Sequence, residues 1–322
     1  MCDSWRLPPT GELTPAEAER AFRSIGPLEV VRLTGGEPFL REDLEELARR
    51  VWDASHPAVV HVTTNGSFPE RVAAFVDSFP RPDVLRFMVS FDGLAEEHDR
   101  NRGAAVTFAT ALKTVQVLAS RRSPVGLRVS ANHTVISPRS LADADGLRGE
   151  LARFGVELHT VLAYADSAIY GLSSRGERAE HAIVPVGYPL HPALAGADTL
   201  DFVARERRRA SKMSDAALRI GKRYYLRGLE SRLRGAASPT PRPRCVALRS
   251  HVRLLPDGMV VVCQFNARSV GDLRRDAADA IWQGSAAREE RRWVDACPGC
   301  WAECEAIPNA IFTGDIVRGI VG

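Results

Sequence analysis

The sequence predicts an α/β fold in which parallel strands alternate with helices and a small cysteine-rich domain follows. Three observations predict it. Apolar, β-branched runs alternate with helix-period stretches up to about residue 165. The alternation stops over residues 166–244, and five of the six cysteines lie in the last quarter of the chain. The order starts on a helix where a barrel would start on a strand, so one strand is expected to be missing before residue 1.

The first helix opens at Thr14, where "TPAE" puts Pro15 at the first helical position and Glu17 in place as a capping-box partner. Strands are expected in "LEVVRLT", "AVVHVTT", "VLRFMVSF", "GLRVSANHTVI" and "VELHTVLAY". Between them "REDLEELARRVWDA", "PERVAAFVDSF", "AAVTFATALKTVQVLASRR" and "SLADADGLRGELARFG" carry helix-period apolar positions. These elements make residues 1–165 a core barrel. Residues 166–244 read as a helical connecting segment with a basic stretch, "FVARERRRASKMSDAALRIGKRYYLRGLESRLRG", ending in "SPTPRPR". Residues 245–322 form the third region, with a hairpin "HVRLLPDGMVVVCQF" turning at Asp257-Gly258. That region is small for apolar burial alone, so a metal centre is expected to help hold it.

Composition excludes several classes. Hydrophobic residues make up 45% and charged residues 26%, with Lys+Arg 43 against Asp+Glu 40, which describes a globular chain. The net charge of +3 selects no partner and gives no indication of nucleic acid. The basic stretch is compatible with an acidic peptide, and a solvated helix face is its plainer reading. No apolar run approaches the roughly 18 residues of a membrane helix and no signal peptide opens the chain, so it reads as cytoplasmic. In a reducing compartment, cysteine spacing points to a metal or cluster before disulfides.

"TGGEP" at Thr34 to Pro38 follows a strand, and two glycines there let a ligand approach the backbone closely. Glu37 adds acceptors suited to an ammonium group and Pro38 stiffens the exit. Together with "CDSW" at Cys2, "GELTPAEAERAF", "LTGGEPFLRED", "TTNG" at Thr63 to Gly66, "SFDGLAEEHDRNRG" at Ser90 to Gly103 and the cysteine-rich tail, it resembles the radical S-adenosylmethionine (SAM) superfamily over nearly the whole chain.

The resemblance implies a partial (β/α)6 TIM-like barrel lacking its first strand, with a 4Fe-4S cluster that binds SAM. Cys2 looks like the last cysteine of the family's C-x-x-x-C-x-x-C loop, which implies that the chain begins inside that loop and cleaves SAM poorly as written. Gly35, Gly36 and Glu37 would receive the methionine amino group, Ser90 the ribose, and Arg102 the SAM carboxylate. Asn65, Asp92 and Asn132 are further candidates for cofactor contact, and the adenine site is expected near Leu162 and Ala163. The tail resembles the SPASM/twitch extension: Cys245, Cys263, Cys297 and Cys300 would hold an auxiliary 4Fe-4S cluster, leaving Cys304 over. The shorter twitch form with one cluster fits five cysteines better.

Spacing alone leaves zinc as an alternative, since two separated cysteines plus C-x-x-C also suit a structural zinc site. The implied activity is oxidoreductase chemistry on a peptide or small-molecule substrate, with flavodoxin or ferredoxin as reducing partner and the auxiliary cluster as electron acceptor. Tyr164, Asp166, His159 and His251 are candidate proton acceptors. A non-catalytic iron-sulfur or zinc-binding relic of the barrel is the competing function.

Overall fold

The computed structural model describes residues 11–165, 167–169, 188–213 and 215–317. Cys2 and Asp166 therefore lie outside the described residues. Two compact units divide the rest: one runs to Leu162 and includes 277–279, the other takes the chain from Ala163 onward apart from those three residues.

In the first unit, helix α1 (Pro15–Ile25) begins with the expected capping box: Glu17 N–H donates to Thr14 Oγ1 at 3.3 Å and Thr14 N–H donates to Glu17 Oε2 at 2.8 Å. Five strands follow: β1 (Val30–Leu33), β2 (Val59–Thr64), β3 (Leu85–Phe91), β4 (Arg128–Val135) and β5 (Glu157–Leu162). They form one sheet in the order β1-β2-β3-β4-β5, every pair parallel. Helices α2 (Leu44–Ser55), α3 (Pro69–Ser78), α4 (Ala95–Arg102), α5 (Thr107–Val125) and α6 (Pro138–Ala152) make the crossovers. Sequential parallel order with a helical crossover at each step is the order of a βα barrel.

Alternation fixes which residues face the helices. Val62, Leu85, Phe87, Val89, Phe91 and Ala131 point to one side, where they pack with Leu118, Leu147 and Leu151 in a core with almost no exposure. The other side of the sheet is polar. There Arg32, His61, Arg86 and Arg128 stand in register across four strands. Burial and the charges of Arg32 and Arg86 push the His61 imidazole down to about 3, so it is neutral at ordinary pH.

α4 departs from the sequence pattern. Its residues, "AEEHDRNR", carry no apolar stripe, yet it buries Glu97 and His98 and ends on Gly103 in the left-handed region at φ 69°.

In the second unit the basic stretch is two helices, α7 (Ala197–Ala210) and α8 (Ala216–Leu233). Asp215 starts the second by accepting from Ala217 N–H and Leu218 N–H at 2.9 and 3.0 Å. Strands β6 (Arg253–Leu254), β7 (Met259–Cys263) and β8 (Asn266–Asp272) make an antiparallel sheet, and Gly258 occupies the expected turn at φ 95°. Helices α9 (Ala278–Gln283), α10 (Ser285–Ala296) and α11 (Glu303–Phe312) follow.

The tail does not stand alone. Trp301 stacks on Tyr225 of α8 at 6.2 Å, donates its indole N–H to Tyr225 O at 2.9 Å, and lies under the Arg232 guanidinium at 3.8 Å. Lys222 of α8 pairs with Glu303 at 2.7 Å and Tyr224 donates to Asp315 at 2.6 Å. Helix α8 thus supplies apolar burial that the tail lacks in its own sequence.

Candidate cofactor site and cysteine cavity

The GGEP loop leaves β1 at Leu33 and passes Gly35 at φ 146°, a backbone angle that excludes side chains although a Cβ there would meet no atom within 4 Å. Glu37 then caps a single 3-10 turn, Pro38–Leu40, by accepting from Phe39 N–H at 3.2 Å. Phe39 is driven into the core against Phe75 and Phe87, which fixes the loop from below.

Glu37 itself is 8% exposed. Its Oε1 also accepts from Thr64 Oγ1 at 2.8 Å, and its Oε2 accepts from Asn65 N–H at 2.6 Å. Burial pushes this carboxyl above its usual range, and the three donors pull back against that. The chemical result is a clamp: one carboxylate holds the loop after β1 to the end of β2. Asn65 completes it with an Asx turn, accepting from Ser67 N–H at 2.8 Å. Removing the clamp by Glu37→Ala leaves three donors without their acceptor, each worth about 1–3 kcal/mol when buried. We expect a loss of at least ~3 kcal/mol in urea unfolding, and a smaller loss for Glu37→Gln, which keeps one carbonyl oxygen.

Ser90 and Asn132 sit directly opposite each other across β3 and β4, and His159 of β5 is opposite Asn132. The polar face thus carries a Ser90–Asn132–His159 row near the C-terminal edge of the sheet, where βα folds keep their ligand sites. Asn132 Nδ2 donates to Thr134 Oγ1 at 3.2 Å. His159 is 9% exposed.

Asp92, one residue past β3, is 1% exposed and meets Arg102 at the end of α4, Nε to Oδ2 at 2.6 Å and Nη2 to Oδ1 at 3.2 Å. Burial pushes the Asp92 carboxyl up while the Arg102 charge opposes it. His98 accepts from Asp92 N–H at 3.1 Å and is pushed down to about 4, chiefly by burial, which keeps its Nδ1 available as an acceptor. The arginine that the resemblance reserves for the SAM carboxylate is thus oriented by a buried aspartate. Leu162 closes β5, and the Ala163 carbonyl accepts from His191 N–H at 3.0 Å. Tyr164 is half-buried beside Tyr188 at 5.6 Å, and desolvation raises its phenol well above the usual value.

In the second unit Cys245, Cys263, Cys297 and Cys300 line a single cavity of about 180 Å³. Each comes from a different context: Cys245 from the loop before β6, Cys263 from the end of β7, Cys297 from the C-cap of α10, and Cys300 from the turn after it. Gly299 supplies a φ of 87° between the last two, and Gly299 N–H donates to Cys297 Sγ at 3.4 Å. Burial raises all four thiols, Cys245 to about 11 and Cys300 well above the usual range. Such thiols ionise at neutral pH only when a metal takes the place of the proton. Four cysteines on one cavity, Cys263 buried and the other three half-buried, are the donor set of a cubane cluster, so the residues fit that group. Cys304 lies off the cavity lining, with its Sγ donating to Gln264 Oε1 at 3.2 Å.

The same cavity has a wall that sequence reasoning missed. Glu305 is 2% exposed and pairs with His251 Nε2 and Arg253 Nη2, both at 3.0 Å. Burial works to raise this carboxyl, but His251 and Arg253 outweigh it and hold it down to about 2. A folded-state value below the ordinary 4.5 means that the network adds stability that is complete above that pH and is lost as the pH falls towards 2. The metal-free protein is therefore expected to lose thermal midpoint below about pH 4.5, and Glu305→Gln to flatten that acid limb. The sequence signal was an acidic residue in the first turn of a helix that begins beside the last cysteine.

Two family models match the chain, one in each region. Residues 1–148 match the model of the radical SAM superfamily, and residues 245–304 match the SPASM model, described as an iron-sulfur cluster-binding domain. GTP 3',8-cyclase of Aquifex aeolicus is 34% identical over 164 residues, 50% of this chain and 48% of the relative. AdoMet-dependent heme synthase of Methanosarcina barkeri is 34% identical over 140 residues, 42% of this chain and 37% of the relative. The chain thus spans about half or less of the length of these curated relatives. The solved structure titled "Native anSMEcpe with bound AdoMet" shares the fold, with TM-score 0.54 at 13% identity, covering 89% of this chain and 79% of that one. The chain therefore carries a radical SAM domain over residues 1–148 and, after it, a SPASM iron-sulfur cluster-binding domain over residues 245–304.

Proposed function

We propose that this chain belongs to a cytoplasmic oxidoreductase-type radical SAM enzyme that abstracts hydrogen from a peptide or small molecule, drawing electrons from a flavodoxin or ferredoxin. The observation that supports it most is the convergence of Cys245, Cys263, Cys297 and Cys300 on one cavity in a chain that also carries a radical SAM domain. When bound, SAM with its reduced cluster supplies a 5'-deoxyadenosyl radical for hydrogen abstraction, and the tail cluster supplies a one-electron sink. Relatives named for GTP cyclisation and haem synthesis favour the small-molecule branch.

This chain's residues do the positioning. Gly35 and Gly36 expose backbone carbonyls to the SAM ammonium, while Glu37 holds that loop in shape through Thr64 and Asn65. Asp92 takes two of the five N–H donors of Arg102 and aims the others at the SAM carboxylate. Ser90, with Asn132 beside it, offers hydroxyl and amide groups to the ribose.

The match of residues 245–304 to an iron-sulfur cluster-binding domain favours the cluster over zinc.

The test is release of 5'-deoxyadenosine by the anaerobically reconstituted enzyme to which this chain belongs. Turnover is expected, with Arg102→Met weakening SAM binding at least ~10-fold, the order of a charge-assisted hydrogen-bond pair. No deoxyadenosine from an iron-loaded protein that binds no SAM would support the non-catalytic relic instead.

A further inference from the structure

Beyond holding a cluster, the tail cavity contains a feature that holding iron does not require. Cysteine thiolates already bring negative charge to the site, and a buried carboxylate added to the same wall works against them. Glu305 nevertheless lines that cavity at 2% exposure, on the same wall as Cys245, Cys263, Cys297 and Cys300. Its charge therefore shares one cavity with all four sulfur positions.

The carboxylate is kept ionised by its neighbours. Arg253 of β6 and His251 just before it each reach a Glu305 oxygen at 3.0 Å, on opposite oxygens. The remaining charges on the cavity wall are Arg242, Arg244 and Asp295. Arg244 and Arg249 both pair with Asp295, at 2.5 and 2.9 Å, and those three side chains are more exposed than Glu305. Water screens such rim charges, whereas a desolvated carboxylate keeps its reach.

We propose that Glu305 is a fixed negative charge that lowers the reduction potential of the cluster held by Cys245, Cys263, Cys297 and Cys300, with Arg253 and His251 keeping it ionised and in place. Reduction adds one electron to the cluster, and a neighbouring anion opposes that addition. A lowered potential suits a centre that must hand back each electron it takes. Glu305 is a positioning residue for charge, acting through the cluster and not on substrate. The inference rests on the cluster reading of the cavity.

The test is a mediator-buffered redox titration of the reconstituted 322-residue protein at pH 8, followed by electron paramagnetic resonance, with iron and sulfide counted on each sample. Five of the six cysteines lie in the tail, so the signal belongs to this site. Glu305→Gln at parental iron content is expected to favour reduction at least tenfold, or about 59 mV for one electron. Glu305→Asp should stay within about twofold of the parent, and Arg253→Gln should shift in the opposite direction to Glu305→Gln. Parental potentials in both charge-changing variants would overturn the proposal. So would a Glu305→Gln protein that loses its iron while Arg253→Gln keeps the parental potential, since that pattern marks a structural role. A parent that binds no iron would instead overturn the cluster reading itself.

Discussion

Replacing any one of Cys245, Cys263, Cys297 or Cys300 by alanine is expected to remove the tail cluster, whereas Cys304→Ala should keep it. The four cavity thiols are the complete ligand set of a four-thiolate cluster, and among the described residues the cavity lining holds no fifth cysteine to replace a lost one. Cys263 should show the largest effect. It is 8% exposed at the end of β7, the most buried of the four, so its loss leaves the deepest cluster corner without a ligand. Iron per chain should fall from about four to below one in these variants, with loss of the brown sulfur-to-iron absorption. Cys304 bonds to Gln264 away from the cavity lining, so its removal should leave iron content within error of the parent. Equal iron in Cys263→Ala and the parent would show that another set of ligands holds the metal.

The second large effect is expected from a single methyl group in α8. A Cβ on Gly228 would lie 2.0 Å from Trp301 Cζ2 and 2.5 Å from Cε2, far inside van der Waals contact with the ring. Trp301 has little freedom to yield: it is 4% exposed, stacked on Tyr225, bonded to Tyr225 O, and held at φ 53° next to Cys300. Alanine improves intrinsic helix propensity by about 1 kcal/mol, while overpacking a rigid contact costs typically 1–3 kcal/mol and more at such distances. The clash should win, so Gly228→Ala is expected to destabilise the second unit by at least ~3 kcal/mol and to lower cluster retention through Cys300. Gly221 of the same helix provides the control. Its Cβ would meet only Ile307 Cδ1 at 3.8 Å, so Gly221→Ala should be neutral or stabilising by up to ~1 kcal/mol. Similar denaturation midpoints for the two variants would contradict the packing described for Trp301.

Much of the fold was legible because its elements bury one side. The five strands each alternate or run apolar over a short length, and the structure has all five in sequential parallel order. The capping box at Thr14 and the turn at Gly258 were legible because their chemistry is local. Elements held by charge were not. α4 buries Glu97 and His98 where a pattern reading looks for leucines, and β8, "NARSVGD", is a half-exposed strand with a glycine near its end. The break between α7 and α8 was hidden because a cap at Asp215 looks like one more polar residue in a basic stretch.

At the sites, residue identity was readable and partnership was not. "TTNG" was visible as a string, but only the fold brings Thr64 and Asn65 to Glu37 across 27 and 28 positions. The cysteines announced a metal by spacing. Glu305 and its pairing with His251 and Arg253 required the chain to fold α11 back over β6, and the Arg253 contact spans 52 positions.

The central claim is that the tail thiols share one iron-sulfur cubane. Its most direct measurement is iron, sulfide and zinc per chain, with a Mössbauer spectrum, on the anaerobically reconstituted protein. The account predicts about four irons and four sulfides per chain with a 4Fe-4S spectrum. One zinc per chain with no sulfide, or iron that leaves on desalting, would contradict it.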